Sequence, residues 1–245
     1  MTPKRHPNPT TRLLVDSDGA SGALLLSHGV HQRVSAPWAT IINIGLDAPV
    51  EVESEFGVTR GRVVVVPAGL KRCSRSRGAT VTIILDADVH RATYMEWCSR
   101  PPSTIDAPQV VAIAASLEGA PFAQAMALAG RVVPLGDVRI DDSRVRLMQS
   151  RWVESGASVS QVAAELGLSA GHLSELFCAT VGTPFRTWAV WQRVRAALRS
   201  IAAHRGETNQ VAQGVGFADQ AHMIRSFSRL LDYTPGALRH ASRLK

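Results

Sequence analysis

A twelve-residue segment that occurs twice constrains this 245-residue chain more than any other feature. SVSQVAAELGLS at 158–169 aligns with ETNQVAQGVGFA at 207–218, forty-nine residues later, sharing Gln-Val-Ala and a glycine, Gly167 or Gly216. Each copy has the parts of two short helices joined by a sharp turn. In the first, Val162, Ala163 and Leu166 form an apolar stripe, Gly167 can take the positive φ that ends a helix, and Ser169 suits the next N-cap. Leu173, Leu176 and Phe177 then anchor the second helix. In the later copy Val211, Ala212 and Val215 form the stripe, Gly216 the turn, and Met223, Phe227 and Leu230 the anchors. The pattern predicts two helix-turn-helix units, whose second helices can enter a DNA major groove.

Between the copies, PFRTWAVWQRVRAALRSIAA opens with proline, which fits a first helical turn, and predicts a rod of about 28 Å at ~1.5 Å per residue. Successive major-groove faces lie about 34 Å apart, so such a rod could hold two readers in adjacent turns. Residues 142–239 resemble the DNA-binding domain of the AraC/XylS family of bacterial regulators. The resemblance rests on VAAELGLS, LSELF, the glycine of FCATVG, RVRAA, QVAQGVGFADQAH, RSF and YTPGALR. Its signature positions are Gly216, Phe217, Asp219, Gln220, Met223, Phe227, Thr234, Pro235 and Arg239. Met223 replaces a usual aromatic, Thr208 an isoleucine-like residue, and Asp232 a capping glycine. The resemblance implies a seven-helix domain and a sequence-specific transcription regulator, with family habit leaning towards activation and RNA polymerase as a partner.

By resemblance and helical phase, the first reading helix exposes Gly171, His172, Ser174, Glu175 and Cys178, where family members often carry arginine or lysine. Glu175 repels phosphate unless it accepts a bond from a cytosine amino group; otherwise this helix contributes little specificity. The second offers Gln220, Ala221, Ile224 and Arg225. Glutamine pairs with adenine and arginine with guanine, while alanine or isoleucine touches a thymine methyl. Arg193 matches a family arginine with a structural or phosphate-facing role. Arg186, Arg195, Arg199 and Arg229 read as a solvated face or as backbone contacts.

The first half has a different grain. From Leu13 to about Asp86 run short β-type segments, TRLLV, ALLLS, ATIINIGL, VEVESE, RVVVVPAG and TVTIILD, punctuated by glycine, proline, aspartate and serine. They predict an antiparallel sandwich or barrel. GRVVVVPAGLKR follows a cupin-barrel motif through Gly61, Pro67 and Gly69, but Arg72 stands at the metal-binding histidine position. Cupin-like ligand domains are common at the front of AraC-type regulators. A guanidinium is not an ordinary metal ligand, and His28 and His31 lack the His-x-His spacing, so no cofactor and no enzyme activity are expected. The run KRCSRSR is either a solvated basic loop or an anion site in which Lys71, Arg72 and Arg75 hold a small-molecule effector. After Pro101-Pro102, Val110, Val111, Ala114 and Leu117, then Phe122, Ala125, Met126 and Ala129, fall at helical spacing. These predict two helices interrupted near Gly119-Ala120-Pro121, which cover the barrel or meet a second copy of the chain as a homodimer.

The expected fold class is therefore α+β in two domains: a cupin-like antiparallel β-barrel over 1–105 with a degenerate metal motif, linker and dimerisation helices over 106–140, and an all-α DNA-binding domain over 141–245. The helix-turn-helix pattern makes double-stranded DNA the expected partner, and the basic excess lies where a polyanion would bind, although charge alone would also fit RNA or an acidic protein. Residues 141–245 hold 13 basic against 8 acidic side chains, while 1–140 hold 14 against 12. With 45% hydrophobic and 19% charged residues, three widely spaced cysteines and no apolar run that spans a bilayer, a cytoplasmic protein without membrane contact is expected. The same residues leave two other readings open: a cupin-type enzyme with a DNA-binding appendage, and a regulator whose barrel binds nothing and serves assembly or polymerase contact.

Overall fold

The computed structural model describes residues 12–15, 22–31, 35–117, 122–136, 140–203, 206–231 and 233–243. The interruption expected at Gly119-Ala120-Pro121, the Asp232 cap and the side chains of His28 and His31 lie outside the described residues. The chain divides into two compact units, Met1–Asp137 with Arg193–Lys245, and Val138–Gln192.

Among the described residues of the first unit, eight strands form one nearly closed antiparallel sheet: β1 (Arg12–Val15), β2 (Gly22–His31), β3 (Ala39–Gly45), β4 (Val50–Ser54), β5 (Gly57–Gly61), β6 (Val63–Val66), β7 (Arg72–Asp86) and β8 (Ser103–Thr104). The path is β1-β2-β7-β3-β6-β8, with β4 paired to both β5 and β7. The two faces carry different chemistry. Ile42 and Ile44 of β3, Val63 and Val65 of β6, and Val81, Ile83 and Leu85 of β7 share one buried cluster. The alternate residues face the other way: Thr82 lies opposite Asn43 and donates its hydroxyl to the Asn43 side-chain carbonyl at 3.0 Å.

Three helices cover the apolar face: α1 (Arg91–Trp97), α2 (Pro108–Ala115) and α3 (Phe122–Ala129). The expected stripe supplies Val110, Ala114, Leu117, Ala125 and Ala129 to the same cluster, with Val111, Phe122 and Met126 packed at its edge. The apolar faces of α2 and α3 thus lie against the barrel.

KRCSRSR proves not to be a loop. It begins β7, pairing Ser74 with Val52 and Arg75 with Glu51. Arg72, Ser74 and Ser76 are buried while Lys71, Arg75 and Arg77 are exposed, a period-two pattern hidden in the sequence because its inward residues are polar. Strand β5 and helix α1 are further elements beyond those the sequence pattern predicts.

At its far end β7 finishes on Asp86, whose side chain is 1% exposed and pairs with Arg195 at 3.0 Å. Arg195 therefore does not belong to a freely solvated face. It lies on α7 (Phe185–Ala202), and α8 (Thr208–Gly214), α9 (Gln220–Leu231) and α10 (Pro235–Arg243) follow. Helix α10 lies beside β1.

The second unit holds α4 (Ser143–Ser155), α5 (Val159–Glu165), α6 (Ala170–Val181) and the first part of α7. Its core is aromatic: the Trp152 and Trp188 rings meet edge-on at 5.2 Å, and Phe177 packs edge-on against Phe185 at 5.2 Å and Trp188 at 5.6 Å. Asp142 starts α4, accepting the Arg144 N–H at 2.9 Å and the Val145 N–H at 3.4 Å. The Arg144 guanidinium grips both carboxylate oxygens, at 3.1 and 2.7 Å. That side-chain bond, with the two backbone donors and against partial desolvation, holds the carboxyl at about 2 rather than 3.8. A depressed carboxyl stabilises the fold fully above its unfolded value and loses that contribution as pH falls through its folded value. Asp142→Ala is expected to cost about 0.5–2 kcal/mol at neutral pH. Urea titrations followed by tryptophan fluorescence should show this difference shrinking between pH 3.8 and about 2; a pH-independent difference would refute the assignment.

Candidate nucleic-acid interface

The repeat has a clear local cause. Ser158 caps α5, its hydroxyl accepting the Gln161 N–H at 3.3 Å while Gln161 Oε1 accepts the Ser158 N–H at 2.8 Å. At the start of α8, Gln210 Oε1 accepts the Glu207 N–H, also at 2.8 Å. The shared glutamine is thus a reach-back cap that satisfies a backbone donor before each first helix. The shared Val-Ala, as Val162-Ala163 and Val211-Ala212, is buried in both copies. The shared glycines make the turns, Gly167 at φ 65° and Gly216 at φ 82°.

The second helices then begin on side-chain caps. Ser169 Oγ accepts the His172 N–H at 3.1 Å to start α6, and Asp219 Oδ1 accepts the His222 N–H to start α9. Leu173 and Phe177 anchor α6, with Leu176 half-buried. Met223, Phe227 and Leu230 anchor α9. Met223 is fully buried, so methionine fills the space of the usual aromatic. Phe217 is buried beside the turn and meets the His222 ring edge-on at 5.3 Å. Thr234 Oγ1 accepts the Ala237 N–H at 3.2 Å and caps α10, and the Arg239 guanidinium donates to the Gly206 carbonyl just ahead of α8.

Opposite the anchors, Gly171, His172, Ser174, Glu175 and Cys178 are exposed along α6. On α9, Gln220, Ala221, Arg225 and Arg229 are exposed and Ile224 is half-buried. Ser174 donates its hydroxyl to the Ala170 carbonyl at 2.7 Å, so like the Glu175 carboxylate it presents acceptor lone pairs outward. Arg225 and Arg229 are donors, and Gln220 is both donor and acceptor. Arg193 is set apart from the other candidates: it is half-buried, its Nε lies 3.5 Å from where a Cβ on Gly216 would sit, and burial lowers its guanidinium pKa. It supports the second turn from beneath.

Charge divides as unevenly as chemistry. Residues 138–192 hold five arginines against five acidic side chains, whereas 193–245 hold nine basic against three acidic. Among the described residues no three histidine, cysteine or acidic side chains gather as a metal site, and no helix is long and apolar enough to cross a membrane.

Two exposed reading faces on capped helices, the second carried by a strongly basic segment, define a DNA-binding protein of the helix-turn-helix class. Residues 162–241 match the family described as "Helix-turn-helix domain", an AraC-type domain. No curated protein matches the sequence. Among solved structures, ToxT from Vibrio cholerae superposes with a TM-score of 0.58 at 9% identity, covering 90% of this chain and 98% of that one. ToxT from Vibrio cholerae O395 bound to (E)-4-(8-methylnaphthalen-1-yl)but-3-enoic acid gives 0.59 at 8% identity, over 97% and 100%. Wild-type ToxT of strain SCE256 bound to an unsaturated fatty acid gives 0.54 at 10% identity, over 96% of each chain. At these identities the likeness is one of fold.

Alanine at either turn would occupy the left-handed region, at a cost of roughly 1–2 kcal/mol. Gly167→Ala and Gly216→Ala are each expected to lose about that much in denaturant unfolding. A substitution at Gly167, where a Cβ meets nothing within 4 Å, isolates the backbone cost from any clash.

Proposed function

We propose that this protein is a sequence-specific transcription regulator of the activator type, which binds promoter DNA through both helix-turn-helix units, contacts RNA polymerase and responds to a small-molecule effector held by its barrel. The observation that carries the DNA reading is the pair of polar reading faces, α6 and α9, each set opposite buried anchors. Their chemistry is complementary. The acceptors Ser174 and Glu175, with Gly171 and His172 beside them, suit the amino groups of cytosine or adenine. On α9, Arg225 suits guanine, Gln220 adenine, and Ala221 and Ile224 a thymine methyl. Arg229 joins them as a phosphate contact and Arg193 as the support beneath the turn. A homodimer would use surfaces other than the apolar faces of α2 and α3, which lie against the barrel.

Selection of bound sites from random DNA tests this reading, with recovery of only non-specific, salt-sensitive binding as the refuting result. Within a recovered site, Arg225→Ala is expected to cost about 1–3 kcal/mol and relax the preference at one base pair. Mobility assays at fixed salt that show unchanged affinity and unchanged preference would remove Arg225 from the reading set.

Support for the effector comes from the inner face of the barrel. Ser27 Oγ, Asn43 Nδ2 and Ser74 Oγ are buried without a hydrogen-bond partner among the described residues, an arrangement that disfavours an apolar filling. Of the basic trio, alternation along β7 turns Arg72 to the same face as Ser74, and Lys71 and Arg75 away from it. Arg72 donates to the Ser35 carbonyl at 3.1 Å and hydroxyl at 2.9 Å, while Arg75 pairs with Glu53 at 3.1 Å. Arg72 is thus the best placed of the three to meet an anionic effector. ToxT, which shares the fold, has been crystallised with carboxylic acids. Thermal-shift screening of carboxylic acids against their matched alcohols is expected to stabilise the protein with acids alone. No shift from either set, with DNA binding intact, would overturn the effector proposal and leave the DNA reading standing.

A further inference from the structure

Asp86 has the least accessible side chain among the ion pairs described above. Its side chain is 1% exposed, Oδ1 accepts the Asp88 N–H at 2.9 Å, and Oδ2 lies 3.0 Å from Arg195 Nη1. Arg195, 21% exposed, belongs to α7 and so to the segment that leads into the second helix-turn-helix. Arg199 follows one turn later. Burial and Arg195 lower its guanidinium pKa while Asp86 raises it, which places the three groups in one electrostatic neighbourhood. Two arginines at i and i+4 repel each other, and the Asp86 carboxylate offsets that repulsion.

Such an arrangement is a poor way to gain stability. Removing a carboxylate from water costs several kcal/mol, and well-packed apolar residues often serve a core at least as well. A positional or switching role is the better-attested use of buried ion pairs. The strand supplies the other half of the device. Asp86 ends β7, on which Ile84, Thr82 and Thr80 alternate with the residues that face the helices. A displacement of β7 at the inner face therefore moves the carboxylate.

We propose that Asp86, Arg195 and Arg199 form a charge latch that fastens α7 to the end of β7 and restrains the second helix-turn-helix from engaging DNA. Closing the latch neutralises part of the basic charge of residues 193–245 and limits their movement against the barrel; opening it restores both. The proposal rests on the DNA-binding reading above.

The test uses the full chain, a selected DNA site and four proteins: wild type, Asp86→Asn, Arg195→Gln/Arg199→Gln, and the triple variant. Asp86→Asn is expected to tighten binding by about fivefold or more, the lower end of ordinary coupling between linked sites, and to steepen the salt dependence. In the Arg195→Gln/Arg199→Gln background the same substitution is expected to change nothing. Equal tightening in both backgrounds, or wild-type affinity and salt dependence in Asp86→Asn, would overturn the latch. If Asp86→Asn fails to fold, Arg195→Gln opens the contact from its part-exposed side and must also tighten binding, despite losing a positive charge; weaker binding overturns the proposal. Trypsin cleavage after Arg199 gives a DNA-independent reading, expected to be faster in Asp86→Asn and fatal to the latch if unchanged. Absence of DNA binding by the wild type would instead sink the DNA reading, and trypsin would still report on the contact.

Discussion

The pairing of one long strand with three partners is the constraint from which the barrel unit follows. Strand β7 bonds to β2 along most of its length, to β3 over Thr80–Asp86 and to β4 over Arg72–Arg75. A one-residue slip would exchange its two faces, moving Val81, Ile83 and Leu85 out of the helix-covered cluster and Thr80 and Thr82 into it. Register here therefore fixes three things together: where α2 and α3 can lie, which polar groups line the inner face, and where the Asp86 carboxylate meets α7.

The two helix-turn-helix units depend on a different economy, in which local hydrogen bonds place each element before long-range packing acts. A glutamine cap opens each first helix, a left-handed glycine closes it, and a serine or aspartate opens the reading helix. Because the glutamine and glycine recur at the same spacing, with the reading-helix cap two residues after Gly167 and three after Gly216, the reading helices can diverge freely on their exposed faces. That freedom accounts for Glu175 on α6 and Arg225 on α9 within equivalent frames.

This contrast also explains what could be read from the chain alone. Caps, turn glycines and anchors are local, so the repeat revealed both units, and the period of 3.6 revealed α2 and α3. The hydrophobic strands were equally legible. The first half of β7 was not, because Arg72, Ser74 and Ser76 are polar residues facing inward and leave no apolar alternation. Strand β5, with Thr59 and Arg60 between glycines, has little β signature of its own and is held by pairing to β4. The Asp86–Arg195 pair joins residues far apart in sequence, and only the folded chain brings them together. Arg193 lies beside the Gly216 turn, a proximity that sequence spacing alone does not show.

Charge and reading chemistry together imply a division of labour between the units. Counterion release scales with the number of phosphates neutralised, and residues 193–245 carry a net six positive charges where 138–192 carry none. On the proposed reading the second helix-turn-helix therefore supplies most of the sequence-independent attraction, and its Arg225 would add a base contact on top of it. On that reading the first helix-turn-helix contributes little to that attraction, and Glu175 would oppose it near a phosphate. Its acceptor face is favourable only where an amino group stands opposite, so a weak unit can still discriminate: every wrong base leaves a desolvated carboxylate unpaired. Affinity and selectivity would in this way be drawn from different copies of one repeated frame.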